Sequence, residues 1–174
     1  MMSNFALLAR FNAWVNPRIY DCVARLPEAD YRADRKLFFG SIHRTLNHLL
    51  VVDRLWTGRI AGRPHGIASL GQELYTDFAA LRAAREAEDR RLIELVDGLS
   101  EAQLAAPIRY TRMLGTGDEE ARAGHILITL FNHQTHHRGQ VHAALTQSGI
   151  EPPALDVIFF LEEIGQSGPP GTIR

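Results

Sequence analysis

His133 and His137 stand four residues apart in Asn132-His133-Gln134-Thr135-His136-His137-Arg138-Gly139-Gln140, a stretch that otherwise reads as helix. At about 100° per residue the two imidazoles project only about 40° apart on one helical face. Such a pair can hold one transition-metal ion through ring nitrogens, and a third ligand from another helix would leave a coordination position for water or substrate. His48 is the candidate third ligand, because it lies in a second amphipathic segment, residues 45–56, able to pack beside the first. The chain has eight histidines, so spacing alone leaves surface and hydrogen-bonded core positions open as alternatives.

The neighbours of these residues carry weaker expectations. Asp53 follows His48 by five residues, about 140° round a straight helix, so it is poorly placed to bind the same ion. It reads either as a carboxylate pairing with Arg138 or a histidine of the later helix, or as a plain surface group. His136 lies about 60° from His133, away from His137. The expectation for it is a satisfied core histidine, with a partner-helix contact or a proton shuttle as alternatives. Arg138 and Gln140 are candidates to orient the site, and Gly139 reads as a point of close helix packing. Trp14 and Trp56 can wall a pocket near the ion, although aromatic residues at helical spacing are more often core. His43, His65, His125 and His142 read as structural, His142 pointing about 180° from His133.

Helices must position these groups. Phe5, Leu8, Val15, Ile19, Cys22 and Leu26 recur at helical steps, which predicts a helix over 3–26 with a kink at Pro17. Ser41 can cap a second helix running to Arg59, and Gly58, Gly62, Pro64 and Gly66 then mark a loop. A third helix is predicted over 70–98, with Arg82, Arg85, Glu86, Glu88, Arg90 and Arg91 on a solvated face. Residues 106–117 read as a long connection with a brief extended pair. The fourth helix is expected to start at Asp118 to Glu120, carry both histidines mid-length and stop at Gly149. After Pro152 and Pro153 comes a short apolar helix around 155–161, then a flexible tail over 166–174. The fold class is therefore all-α, a four-helix bundle with a short C-terminal helix, with one domain over 1–174 and its site between the second and fourth long helices.

Composition narrows the function. At 174 residues and 45% hydrophobic content the chain can bury one core, and a net charge of −1 from 19 basic and 20 acidic residues gives no field for nucleic acid. Cys22 is the single cysteine, which excludes an intramolecular disulfide and a cysteine-based zinc cluster within the chain and suits a reducing cytoplasm. No leader pattern and no apolar run approaching ~20 residues is present, so neither export nor a membrane span is expected. Neutral imidazoles suit zinc, nickel, iron or copper; zinc is expected first, from its frequency with nitrogen ligands.

Four segments together resemble the DinB family: Arg10-Phe11-Asn12-Ala13-Trp14-Val15-Asn16, the run from Gly40 through His48 to Trp56, the run from Asn132 to Gln140, and Pro152-Pro153-Ala154-Leu155-Asp156. That family is similar to the bacillithiol and mycothiol transferases, in which a helix-borne histidine and a later His-x3-His-Arg-Gly-Gln helix bind a divalent metal. By position, the resemblance implies His48, His133 and His137 as ligands. It also implies a small-molecule substrate, a low-molecular-weight thiol as cosubstrate and a homodimer. Alternatives are an ion-activated water attacking an ester or amide, with His136 or Asp53 assisting proton transfer, and a non-catalytic stress-response bundle whose metal is structural or sensory.

Overall fold

A computed structural model describes residues 2–166; the expected tail, from Ser167 on, lies outside them. Four long helices carry the architecture: α1 (Asn4–Val23), α3 (Ile42–Ile60), α4 (Phe78–Asp97) and α6 (Ala123–Gln147). Between and after them come the short helices α2 (Glu28–Arg32), α5 (Glu101–Ala105) and α7 (Val157–Glu163), and the strands β1 (Pro107–Thr111) and β2 (Asp118–Arg122). Helix α1 packs on α4 and α6, and α3 packs on the same two, which closes a four-helix bundle with α7 against α1. No described helix is long and apolar enough to cross a membrane.

Local chemistry sets most of the helix starts. Ser3, Ser41 and Asp77 each accept a hydrogen bond from the backbone three residues on, at 3.1, 3.2 and 2.7 Å, and each such cap contributes about 1 kcal/mol. Gly149, with φ +74°, ends α6 as its lack of a Cβ permits. Helix α1 runs unbroken across Pro17. Leu46, Leu49, Leu81, Leu92, Leu127 and Leu130 are buried between the four helices and supply the apolar contact that the periodicity predicts.

Two helix boundaries differ from expectation. Residues 70–77 are not helical, because Asn47 Oδ1 accepts from the backbone N–H groups of Leu74 and Tyr75 at 2.9 and 3.0 Å, holding that segment against α3. Asp118 to Glu120 belong to β2, not to a helix start: Thr111, Arg112 and Arg109 of the facing arm engage Asp118, Glu119 and Glu120, and α6 begins only at Ala123, whose N–H donates to Ala106 O at 3.1 Å.

The centre of the bundle is also charged. Arg85 and Glu88, expected on a solvated face, are 2% and 1% exposed. Arg85 Nη1 lies 2.7 Å from Asp53 Oδ2 and Nη2 lies 2.9 Å from Asp89 Oδ1, although the guanidinium N–H vectors are not aligned to donate hydrogen bonds. Gln134 Nε2 donates to Asp53 Oδ2 at 2.5 Å, and Asn16 Nδ2 and Asn12 Nδ2 donate to Asp89 Oδ1 at 2.9 and 3.1 Å. Arg138 Nη1 donates to Asn12 Oδ1, so this one network ties α1, α3, α4 and α6 together. Burial pushes the Asp53 carboxyl up to about 6 against the attraction of Arg85, and burial pulls Arg138 down to about 10. The desolvation of such buried charges offsets much of their mutual attraction, so the network is costly to break from one side without adding much net stability.

Candidate metal centre

Helix α3 presents His48 and α6 presents His133 and His137 one turn apart, so that one potential ligand nitrogen from each ring lies within 4.8 Å of the others. His48 Nε2 faces His133 Nε2 at 2.9 Å. The tautomers of two rings follow from their outer contacts: His48 Nδ1 donates to Leu70 O at 2.7 Å, and His137 Nδ1 donates to Gln140 Oε1 at 2.8 Å. Both Nε2 atoms are therefore bare lone pairs. Phe39 stacks on His48, with centroids 3.7 Å and planes 25° apart, and fixes that ring from above. The third ring, His133, has a buried Nδ1 without a hydrogen-bond partner.

Electrostatics keep the rings neutral. Burial lowers His48 to about 4, with the backbone acceptor Leu70 opposing it. Burial, followed by repulsion from His137, His48 and His136, lowers His133 to about 3. Burial lowers His137 too, against the hydrogen bond that its ring donates to Gln140. Three neutral imidazoles form a donor set that fits a divalent transition metal, and two of them, His48 and His137, are held by the kind of outer acceptor that supports metal ligands.

A cavity of about 370 Å³ opens over the three histidines. Phe39, Leu55, Trp56, Leu70 and Met113 give it apolar walls, and Tyr110 and Arg59 close one end. A larger cleft of about 710 Å³ lies on another side of α3, around Thr57, Glu88 and Arg91. It holds none of the three histidines, so the smaller cavity is the one that adjoins the candidate chemistry.

The other expected site residues divide clearly. Gln140 does orient His137, and Trp56 does line the cavity. Trp14 does not: it stacks on Phe11 at 6.0 Å and donates from Nε1 to Glu163 at 2.8 Å, on the α7 side of the bundle. Asp53 is fully buried, not a surface carboxylate, and its partners are Arg85 and Gln134 instead of Arg138 or a histidine. Arg138 belongs to the same network and bonds to no histidine. His136 is exposed beside His137, not in the core. Gly139 is also exposed, and a Cβ there would meet nothing within 4 Å, so it permits no close packing. His43 is a satisfied core histidine, bonded to Tyr31 Oη at 2.7 Å and Glu73 Oε1 at 2.9 Å. Sequence reasoning missed Phe39, Leu70, Arg59 and Tyr110. Only Arg59 had a readable signal, since it falls eleven residues after His48 and returns to within about 20° of it.

Fold and site together describe a helical bundle with a three-histidine centre between two of its helices. The DinB family profile matches residues 1–168, and the chain belongs to that family. It is 27% identical over 165 residues to the protein DinB of Bacillus subtilis (strain 168), covering 92% of this chain and 95% of that one. Its fold is similar to the crystal structure of a DinB-like protein from Bacillus subtilis, with a TM-score of 0.64 at 15% identity over 88% of this chain and 99% of that chain.

Proposed function

We propose that the protein is a metal-dependent transferase that joins a low-molecular-weight thiol to a small electrophile, with His48, His133 and His137 holding zinc. The observation that carries this reading is the convergence of one ring nitrogen from each of three neutral imidazoles, those of His48 and His137 bare, at the floor of an apolar cavity. A divalent ion held by these three neutral nitrogens would keep its full charge and would lower the pKa of a thiol bound to it. The chain supplies the rest. Gln140 and the Leu70 carbonyl hold two rings in the tautomer that aims Nε2 inward. Phe39 shields His48 from water, and the cavity walls take the organic body of the electrophile. Transfer forms a carbon–sulfur bond, expels the leaving group with its electron pair and releases the thiol proton to water. Cys22 is buried and does not line the cavity, so the nucleophile is the cosubstrate's own sulfur. A reducing compartment suits this chemistry, because the cosubstrate must remain a free thiol.

Cobalt replacing zinc is the test. Adding a small thiol should shift the visible cobalt spectrum, and removing the ion should abolish transfer while most helical circular dichroism survives. A spectrum indifferent to thiols, with helicity collapsing on chelation, would instead identify a structural metal.

A further inference from the structure

The cavity has a cation, Arg59, at the end opposite the histidines, and among the described residues it has no counter-charge. Arg59 Nη2 donates to Thr111 O at 2.6 Å, and the guanidinium carbon sits 4.7 Å from the Trp56 ring and 4.5 Å from the Tyr110 ring. Trp56 and Tyr110 themselves meet edge to face, with centroids 5.1 Å apart, so the arginine is held in a fixed aromatic bracket. Among the described residues no carboxylate lies within ion-pair distance of it. The neighbouring Arg112 is different, because Glu119 already pairs with it. Burial lowers the Arg59 pKa, the sign expected of a cation partly withdrawn from water without an anion to offset the loss.

Along α3 the residues His48, Val52, Leu55, Trp56 and Arg59 form one stripe, and all five line the cavity. The helical rise puts about 16 Å between the Cα atoms at its two ends. The stripe is thus polar at each end and apolar between. An occupant complementary to it is apolar in the middle and anionic at the Arg59 end.

We propose that this cavity selects substrates built as an apolar body carrying a carboxylate, and that Arg59, bracketed by Trp56 and Tyr110, is the residue that reads the carboxylate. This rests on the cavity being the substrate site of the proposed transferase, but the selection itself requires no metal. A planar guanidinium fixed by stacking and by one backbone bond is oriented to meet a carboxylate with its remaining N–H groups.

Binding of 4-phenylbutanoate and of its amide, 4-phenylbutanamide, followed by calorimetry on the full chain after chelation, tests the selection apart from catalysis. The metal-free wild-type protein should bind the carboxylate at least about tenfold more tightly than the amide, a difference of about 1.4 kcal/mol. Arg59→Gln should erase the preference while leaving bound zinc, by elemental analysis, at the wild-type level. Equal affinities in the metal-free wild type, or a preference that persists in Arg59→Gln, would overturn the proposal. Zinc missing from a wild-type protein that still prefers the carboxylate would sink the metal reading and leave this one standing.

Discussion

Gln140 Oε1 accepts from His137 Nδ1 at 2.8 Å, within one turn of α6. The same helix thus supplies a candidate ligand and the group that fixes its tautomer. Gln140→Leu removes the acceptor without filling the cavity, and metal affinity should fall about 10- to 100-fold. Competition with a chromogenic chelator measures it. Unchanged affinity would mean that His137 is oriented by something else.

Elemental analysis of purified single variants addresses the ligand set. His133→Ala and His137→Ala should lose most of the bound metal, and His48→Ala should bind it far more weakly, because two imidazoles alone leave the ion under-coordinated. Stoichiometric metal in all three variants would rule out this centre.

Acid acts on the apo site with a defined sign. His48 at about 4 and His133 at about 3 lie below the ~6.5 of an unfolded-chain imidazole. Stability from these rings is complete above about pH 6.5 and drains away as the pH falls toward 4, since the unfolded chain takes up protons that the fold refuses. Asp53, raised to about 6, works in the opposite direction: protonating it on the way down relieves a buried charge. Urea midpoints of chelated protein should therefore fall between pH 7 and 5, and His133→Gln should flatten that slope. A slope identical in the variant would remove His133 as its source.

Arg85 faces both Asp53 and Asp89, so removing the guanidinium strands two buried carboxylates. Arg85→Ala should therefore cost about 3–5 kcal/mol in denaturant unfolding. If Arg85→Ala costs under about 1 kcal/mol, water must already solvate the two carboxylates.

At Gly139 the open space around the missing Cβ predicts a gain. Gly139→Ala should raise stability by about 0.5–1 kcal/mol by restoring helix propensity, read as a higher melting temperature. A loss would expose a packing demand that the surroundings of the residue do not contain.

Much of this was legible in the chain because it is local. The His-x3-His pair and the Leu46, Leu49, Leu127 and Leu130 positions follow from helical spacing, and the Ser41 cap follows from its side chain. What escaped depends on contacts distant in sequence. Leu74 sits at a helical step from Phe78, yet Asn47, 27 residues earlier, holds its backbone N–H. The carboxylates of Asp118 to Glu120 suit a helix start equally well as a strand until the facing arm supplies Arg109 and Arg112. Charge on α4 looks solvated in one dimension, because nothing in the sequence marks Asp53 as the partner waiting for Arg85. The cavity combines a helix stripe, which is readable, with Phe39 and Tyr110 from outside the long helices, which are not.

Two consecutive residues of α3, Asn47 and His48, grip the connection that follows Ile60: Asn47 binds it at Leu74 and Tyr75, and His48 binds it at Leu70. The connection thereby splits into two parts with different licence to vary. At the exposed Gly62 to Pro64 extra residues can be spliced in as surface decoration, whereas Ile67 is buried against Val51 and Leu55 and a single insertion between Leu70 and Tyr75 shifts the carbonyl that sets the His48 tautomer. Diversity among related chains, and any domain grafted by design, should accumulate in the first part and stop before Ile67.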